Sequence, residues 1–302
     1  MQPVNYIFED LYTSSRNPNS IHTVNTSLHM YYCKYLFSKL LSVFKFEGLP
    51  KTWPENYFKY YLLGLGYIAI LNTDKYGVIP QKCTISDTYT LFYQPKDAIV
   101  TNPFIRKQRY QIGKECELIK LQPDYSSPFD IISMYADLMA VALETAGVNL
   151  MNSKASFVFF AKNKATAESF KQLYDEIGSG KPFTIVDKDL LTEDGSKTWD
   201  FFTQDLSSNY ITSKILDDLK TIEDQFNTRI GIPNANTQKR ERLISSEVEA
   251  NDIDTQALVN VWLDTLQDGI NKVNQKYDLN LSVQYRYKNY YNNSQEVDYE
   301  QS

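Results

Sequence analysis

A chain of 302 residues with 23 tyrosines and 16 phenylalanines is long enough to bury a sizeable core and too aromatic for a disordered chain. Its formal charge of −6 argues against a protein whose main task is gripping nucleic acid, because phosphate attraction needs net cation.

Cys33, Cys83 and Cys116 are odd in number, widely spaced and lack any CxxC pairing, which predicts reduced core thiols and a reducing compartment. MQPVNYIFED has no basic region followed by an apolar run, so no signal peptide is expected. The window Tyr60 to Leu71, read as the most apolar, is too short for a bilayer, and no membrane partner is expected. Residues 1–28 are polar and read as an extended arm. From His29 a helical pattern places Cys33, Leu36, Phe37, Leu40, Leu41 and Phe44 on one face, until Gly48 and Pro50 end it. A second helix is predicted from Pro54, suited to a first turn, to about Leu63. Short β-rich runs follow, Tyr67–Leu71, Tyr89–Tyr93, Ala98–Thr101 and Glu117–Leu121, with turn residues between them. Together these predict an antiparallel α+β module over 29–125.

Ser127-Pro128 reads as a cap and first-turn proline, opening a helix to about Asn152 that is ~37 Å long. Asp130, Asp137 and Glu144 lie seven apart and drift by only ~20° per step, so they share one stripe. Most of the remaining surface is apolar, which predicts packing on most sides, in a core or between copies of the chain. Residues 154–208 read as a compact insert, with strands Phe157–Phe160 and Phe183–Val186, a helix from Thr166 to Ile177 and an acidic stretch from Asp187 to Gly195. A second long helix, Asn209 to Arg229, lines up Ile211, Ile215, Leu219, Ile222 and Phe226. Two long helices around a small lobe suggest a stalk.

Between Gly231 and Thr255 the pattern breaks. Pro233, Asn234, Asn236 and Thr237 oppose a helix, Lys239, Arg240 and Arg242 concentrate three cations, and Glu247, Glu249, Asp252 and Asp254 follow. A connection of about twenty residues inside a compact domain is functional or disordered. A third helix is predicted from Gln256 to Tyr277, then a half-buried strand from Leu279 to Tyr287 and a loose polar tail over 288–302.

Enzyme chemistry finds little support. Gly178-Ser179-Gly180-Lys181 has Asp175 where a phosphate loop needs its first glycine, and Pro182 where it needs Ser or Thr. His22 and His29, both near the N-terminus, are the only histidines, which argues against a histidine triad or a His-rich metal site. Asp187, Asp189, Glu193 and Asp194 lack the spacing of a calcium loop. The stripe carboxylates stand ~10 Å apart per step, too far for paired acid–base work. No catalytic, cofactor or metal site is predicted.

Gly231-Ile232-Pro233-Asn234-Ala235-Asn236, with Lys239-Arg240-Glu241-Arg242, Ser246-Glu247-Val248 and Asn251-Asp252, resembles the channel-loop segment of portal proteins from small short-tailed phages, also called upper collar or head–tail connector proteins. Phe46-Glu47-Gly48-Leu49-Pro50 and Gly66-Tyr67-Ile68 resemble the wing of that family. The helix–lobe–helix order of 128–229 is similar to its stem, clip and stem, and Asn280 to Tyr287 resembles its crown. The likeness covers most of 30–287. One departure concerns the arm, where residues 1–28 carry only Arg16 as a cation, so the packaging-RNA contact of a basic arm is not carried over.

The resemblance implies an α+β portal fold with wing 29–125, stem helices 126–153 and 209–230, clip 154–208, channel loop 231–255 and crown 256–287. It further implies a dodecameric ring at one capsid vertex, a structural protein rather than an enzyme, through which double-stranded DNA enters and leaves. Asn234, Asn236, Lys239, Arg240 and Arg242 would contact DNA, and Asp130, Asp137, Glu144 and Lys214 would line the bore. Implied partners are the major capsid and scaffolding proteins, the packaging ATPase and then the lower collar or tail protein. The location implied is the virion, after assembly in the host cytoplasm. The alternatives are another head–tail adaptor or collar ring, or a DNA-processing enzyme using Asp187 or Asp189.

Overall fold

The computed structural model describes residues 21–153, 157–161, 199–203, 210–233 and 245–287, with isolated helical positions between 164 and 175. The expected strand Phe183–Val186, the 178–181 turn, the acidic stretch from Asp187, the tail 288–302 and most of the arm lie outside them. The chain divides into two compact units, one of residues 1–141 with 219–302, the other of residues 142–218.

In the first unit, helix α1 (Thr26–Val43) begins under an Asn25 cap whose side chain accepts the Leu28 N–H at 3.1 Å. The helix therefore starts at Thr26, three residues before the expected start at His29. The periodic face of α1 buries Cys33, Leu36, Phe37 and Leu40. Strand β1 (Phe44–Glu47) continues directly, with Phe44 and Phe46 inward. Helix α2 (Glu55–Leu65) starts behind Pro54, as the proline predicts.

The central sheet has the order β3-β2-β7, from β2 (Tyr67–Thr73), β3 (Gly77–Gln81) and β7 (Cys116–Lys120). Alternation in β2 and β7 sends side chains to opposite faces. Ile68, Ile70 and Ile119 join the main core, whereas Ala69, Leu71, Cys116 and Leu118 join a second, smaller core. Both faces are covered, so β2 reads as a nearly continuous apolar run. The smaller core is closed by a sheet of β4 (Thr84–Ile85), β5 (Asp97–Ile99) and β6 (Arg109–Gln111).

The expected strand Tyr89–Tyr93 is instead the tip of the β4–β5 hairpin, with Tyr93 at φ +55°. Aromatic residues mimic a strand signal there, but the side chains point to solvent rather than to a sheet face. The three cysteines are free and buried, and burial pushes each thiol up to about 12, which removes them from thiolate chemistry.

Helix α3 (Phe129–Asn152) starts behind Ser127, whose Oγ accepts the Phe129 N–H at 3.0 Å and donates to the Gly64 carbonyl at 2.6 Å. Its first half buries Phe129, Ile132, Ala136, Met139 and Ala140 in the main core. The same core takes Phe226 and Ile230 from helix α4 (Thr212–Ile230). It also takes Val259, Trp262, Leu266, Ile270 and Val273 from helix α5 (Ser245–Tyr277). Lys276 of α5 pairs with Glu117 of β7 at 3.2 Å, and Tyr277 donates to the Ile70 carbonyl at 3.0 Å.

Two boundaries differ from expectation. Helix α5 begins at Ser245 rather than near Gln256, so the second half of the expected channel loop is helical. Strand β10 (Ser282–Tyr285) is shorter than the expected Leu279–Tyr287, and it pairs antiparallel with β1, Phe46 opposite Val283 and Phe44 opposite Tyr285. The segments carrying β1 and β10 therefore share one core.

In the second unit, β8 (Phe157–Ala161) pairs antiparallel with β9 (Trp199–Thr203). The described positions between Lys164 and Asp175 are helical and exposed, and all but Lys164 fall within the helix expected from Thr166 to Ile177. Asn149 near the end of α3 accepts from the Ile211 N–H at 3.1 Å and the Thr212 hydroxyl at 2.7 Å, tying the start of α4 to it. Among the described residues one helix, α3, is long and apolar enough to cross a membrane. Core packing accounts for its first half; in its second half Val148, Leu150 and Met151 are exposed.

Candidate functional site

The segment that carries the three cations has a rigid root. Helix α4 ends in a Schellman motif, in which the Gly231 N–H bonds the Thr228 carbonyl at 3.2 Å and the Ile232 N–H bonds the Asn227 carbonyl at 2.8 Å. Gly231 sits at φ +82°, and a Cβ there would lie 1.9 Å from Cγ2 of Val259. The Tyr285 hydroxyl donates to the Gly231 carbonyl. The chain thus leaves α4 pinned between α5 and β10. Asn234, Asn236, Lys239, Arg240 and Arg242 lie outside the described residues, and the chain re-enters the structure at Ser245.

The stripe on α3 does not survive as three equivalent carboxylates. Asp137 is only 2% exposed. Its Oδ2 meets His22 Nδ1 at 2.6 Å and its Oδ1 accepts the Thr23 N–H at 2.7 Å, so in this chain residues 22–23 cover it. Asp137 is therefore withdrawn from the expected bore lining. One turn earlier, His29 donates from Nε2 to the Ser133 carbonyl at 3.0 Å, and both histidines serve to hold the N-terminal segment against α3. Asp130 and Glu144 are half-buried, and Lys214 in the first turn of α4 is exposed. Asp130 and Glu144 are fourteen residues apart, or ~21 Å along the helix axis.

A second polar cluster links α1 to α4. Glu223 accepts hydrogen bonds from Lys39 and, at 2.7 Å, from the Tyr35 hydroxyl, while Lys39 also donates to Asn227 at 3.0 Å. Burial alone would push the Glu223 carboxyl up, but the bonds from Lys39 and Tyr35 outweigh it and hold the group below the ordinary glutamate value. Among the described residues no group of three His, Cys, Asp or Glu side chains is arranged to hold a metal ion.

Sequence reasoning missed the structural duty of Gly231. The signal was available, since a glycine directly after the last periodic residue of a helix marks a left-handed cap. It also missed Tyr285 and His22, whose roles rest on pairings between distant parts of the chain that no local pattern encodes.

A family model described as Phage Connector (GP10) matches residues 14–289. Among solved structures, the chain is similar to one from the portal and tail of native bacteriophage P68, at 18% identity, covering 86% of this chain and 87% of that one, with a TM-score of 0.46. It is also similar to a chain from the virion of a native gene transfer agent particle, at 12% identity over 98% and 93% of the two chains, with a TM-score of 0.36.

Proposed function

The chain belongs to the phage connector family, and from that premise we propose that it forms the portal ring at one capsid vertex, through which double-stranded viral DNA is packaged and ejected. The observation that carries the channel part of this reading is the fixed end of α4, from which the cationic segment departs. Its entry is fixed by Gly231, Ile232 and Tyr285 and its exit by α5, whose Val259 and Trp262 are core residues. Three cations on a connection held at both ends can touch phosphates in passing, without reading bases.

In a ring of twelve copies each side chain facing the bore becomes a belt. Asp130 and Glu144 supply anionic belts whose repulsion of phosphate fades beyond ~8 Å at physiological salt, and Lys214 supplies a cationic one. The lobe 154–208 is the docking surface for the packaging ATPase and later for the lower collar or tail protein, while capsid and scaffolding proteins surround the ring. Connectors are in general structural, non-enzymatic proteins, and the place of this one is the virion.

Replacing Lys239, Arg240 and Arg242 together by alanine is expected to leave ring formation intact while DNA retention in filled heads falls. The salt dependence of retention also flattens, since each lost phosphate contact removes about 0.9 from the slope of log affinity against log salt. Packaging and retention identical to wild type would refute the role of the loop.

A further inference from the structure

The β4-β5-β6 sheet carries two unlike features at its two ends. Successive connections of an antiparallel meander leave from opposite ends, so the β4–β5 hairpin tip and the β5–β6 connection face away from each other. At the tip, Leu91, Phe92 and Tyr93 are 87%, 80% and 84% exposed. Three consecutive large apolar side chains so exposed form a patch, not scattered surface residues.

The tip is a fixed knob. Thr90 N–H bonds the Gln94 carbonyl at 2.8 Å, Tyr93 N–H bonds the Thr90 carbonyl at 3.1 Å, and Gln94 Oε1 accepts from the Tyr125 hydroxyl at 2.8 Å. Tyr93 holds φ +55°, a conformation that is uncommon for a bulky residue and that aims its ring outward. No charged residue occurs from Thr88 to Pro95.

At the other end lies a cleft of about 660 Å³ between the β2–β3 turn, Asn72–Tyr76, and the β5–β6 connection, Phe104–Lys107. Phe104 on its rim is 78% exposed. Lys75 and Arg106 are exposed cations on its walls, and among the described residues Arg106 has no ion pair; Asp74 and Glu115 also line the cleft, Glu115 paired with Lys107. The cleft already uses cations against rings, with Lys75 5.0 Å from the Tyr76 centroid and Lys107 5.3 Å from that of Tyr110. An aromatic knob without charge suits the exposed Lys75 and Arg106 of this cleft, because ring faces attract Lys and Arg.

A head-to-tail ring needs two different, complementary patches on opposite sides of every copy. We propose that Leu91, Phe92 and Tyr93 of one copy seat in the Phe104–Arg106 cleft of the next, so that each subunit is both knob and socket. The inference rests on the ring reading above and names the contact that closes the ring at the level of the wing. Phe92 and Phe104 are the anchors, while Lys75 and Arg106 face the incoming rings.

Phe92→Cys and Phe104→Cys, combined in one chain, test this with a short bis-maleimide crosslinker applied to assembled rings. Cys33, Cys83 and Cys116 are at most 2% exposed and do not compete. The expected result is a covalent ladder on a denaturing gel that climbs beyond the dimer toward the full ring, with neither single variant passing the dimer. Rings that carry both cysteines and give no ladder overturn the contact but leave the ring reading standing. A wild-type protein that forms no ring, in solution or in capsids, overturns both. Replacing Leu91, Phe92 and Tyr93 together by serine removes exposed side chains only, so the fold persists while subunit association weakens at least about tenfold, as loss of an aromatic anchor does. Intact rings that fail to enter capsids would overturn the proposal and assign the knob to the shell.

Discussion

Replacing Gly231 by alanine is expected to destabilise the protein by about 3 kcal/mol, from a left-handed backbone cost of about 1–2 kcal/mol and an overpacking cost of similar size. The residue sits at φ +82°, and the new Cβ would fall 1.9 Å from Val259 Cγ2 and 3.0 Å from its Cβ. Val259 is fully buried on α5 among Phe226, Ile230 and Trp262, so it cannot swing aside. The control is Gly77, which is also at positive φ, +67°, but has nothing within 4 Å of a notional Cβ. Gly77→Ala therefore carries only the backbone cost, about 1–2 kcal/mol. Urea midpoints of the two variants check the argument. Equal losses would show that the contact with Val259 has no energetic weight. Because Gly231 sets the direction in which the cationic segment leaves α4, the alanine variant is also expected to reduce DNA retention.

The bridge between Lys39 and Glu223 gives the second large effect. Its side chains are 20% and 28% exposed, and Lys39→Met keeps the hydrocarbon stem while removing the charge. The carboxylate is left part-buried with only the Tyr35 hydroxyl among its two described partners, a loss of about 2–3 kcal/mol. The pH dependence has a definite sign. The folded-state value of Glu223 lies below its ordinary value, so the stabilisation is fully present above about pH 5 and is lost as pH falls through the lowered value. The stability gap between wild type and Glu223→Gln is therefore expected to be constant from neutral pH to about 5 and to close on further acidification, because a protonated glutamate resembles glutamine. A gap that widened in acid would contradict the assignment.

The long helices were legible in the sequence because their apolar residues repeat at helical spacing and their caps are explicit. Pro54 and Ser127-Pro128 mark the starts of α2 and α3 to within a residue. Strand β2 was legible as an apolar run, although its two faces serve two different cores. The onset of α5 was missed because a run of acids after a break reads as loop, whereas the first turns of a helix favour acids. The hairpin tip was read as a strand because Tyr, Leu and Phe are strand formers wherever they point. The pairing of β1 with β10 joins opposite ends of the chain, and no periodicity reports such a partner. Among the site residues, the spacing of Asp130, Asp137 and Glu144 gave a true helical stripe. Spacing alone does not reveal that His22 and Thr23 close over its middle member.

The central claim is that copies of this chain close into a ring around a bore. Negative-stain electron microscopy of the purified protein, with its native mass measured on the same sample, tests it most directly. Rings of about twelve subunits with a bore wide enough for a DNA duplex are the predicted result. A stable monomer that cuts or modifies DNA would contradict the claim.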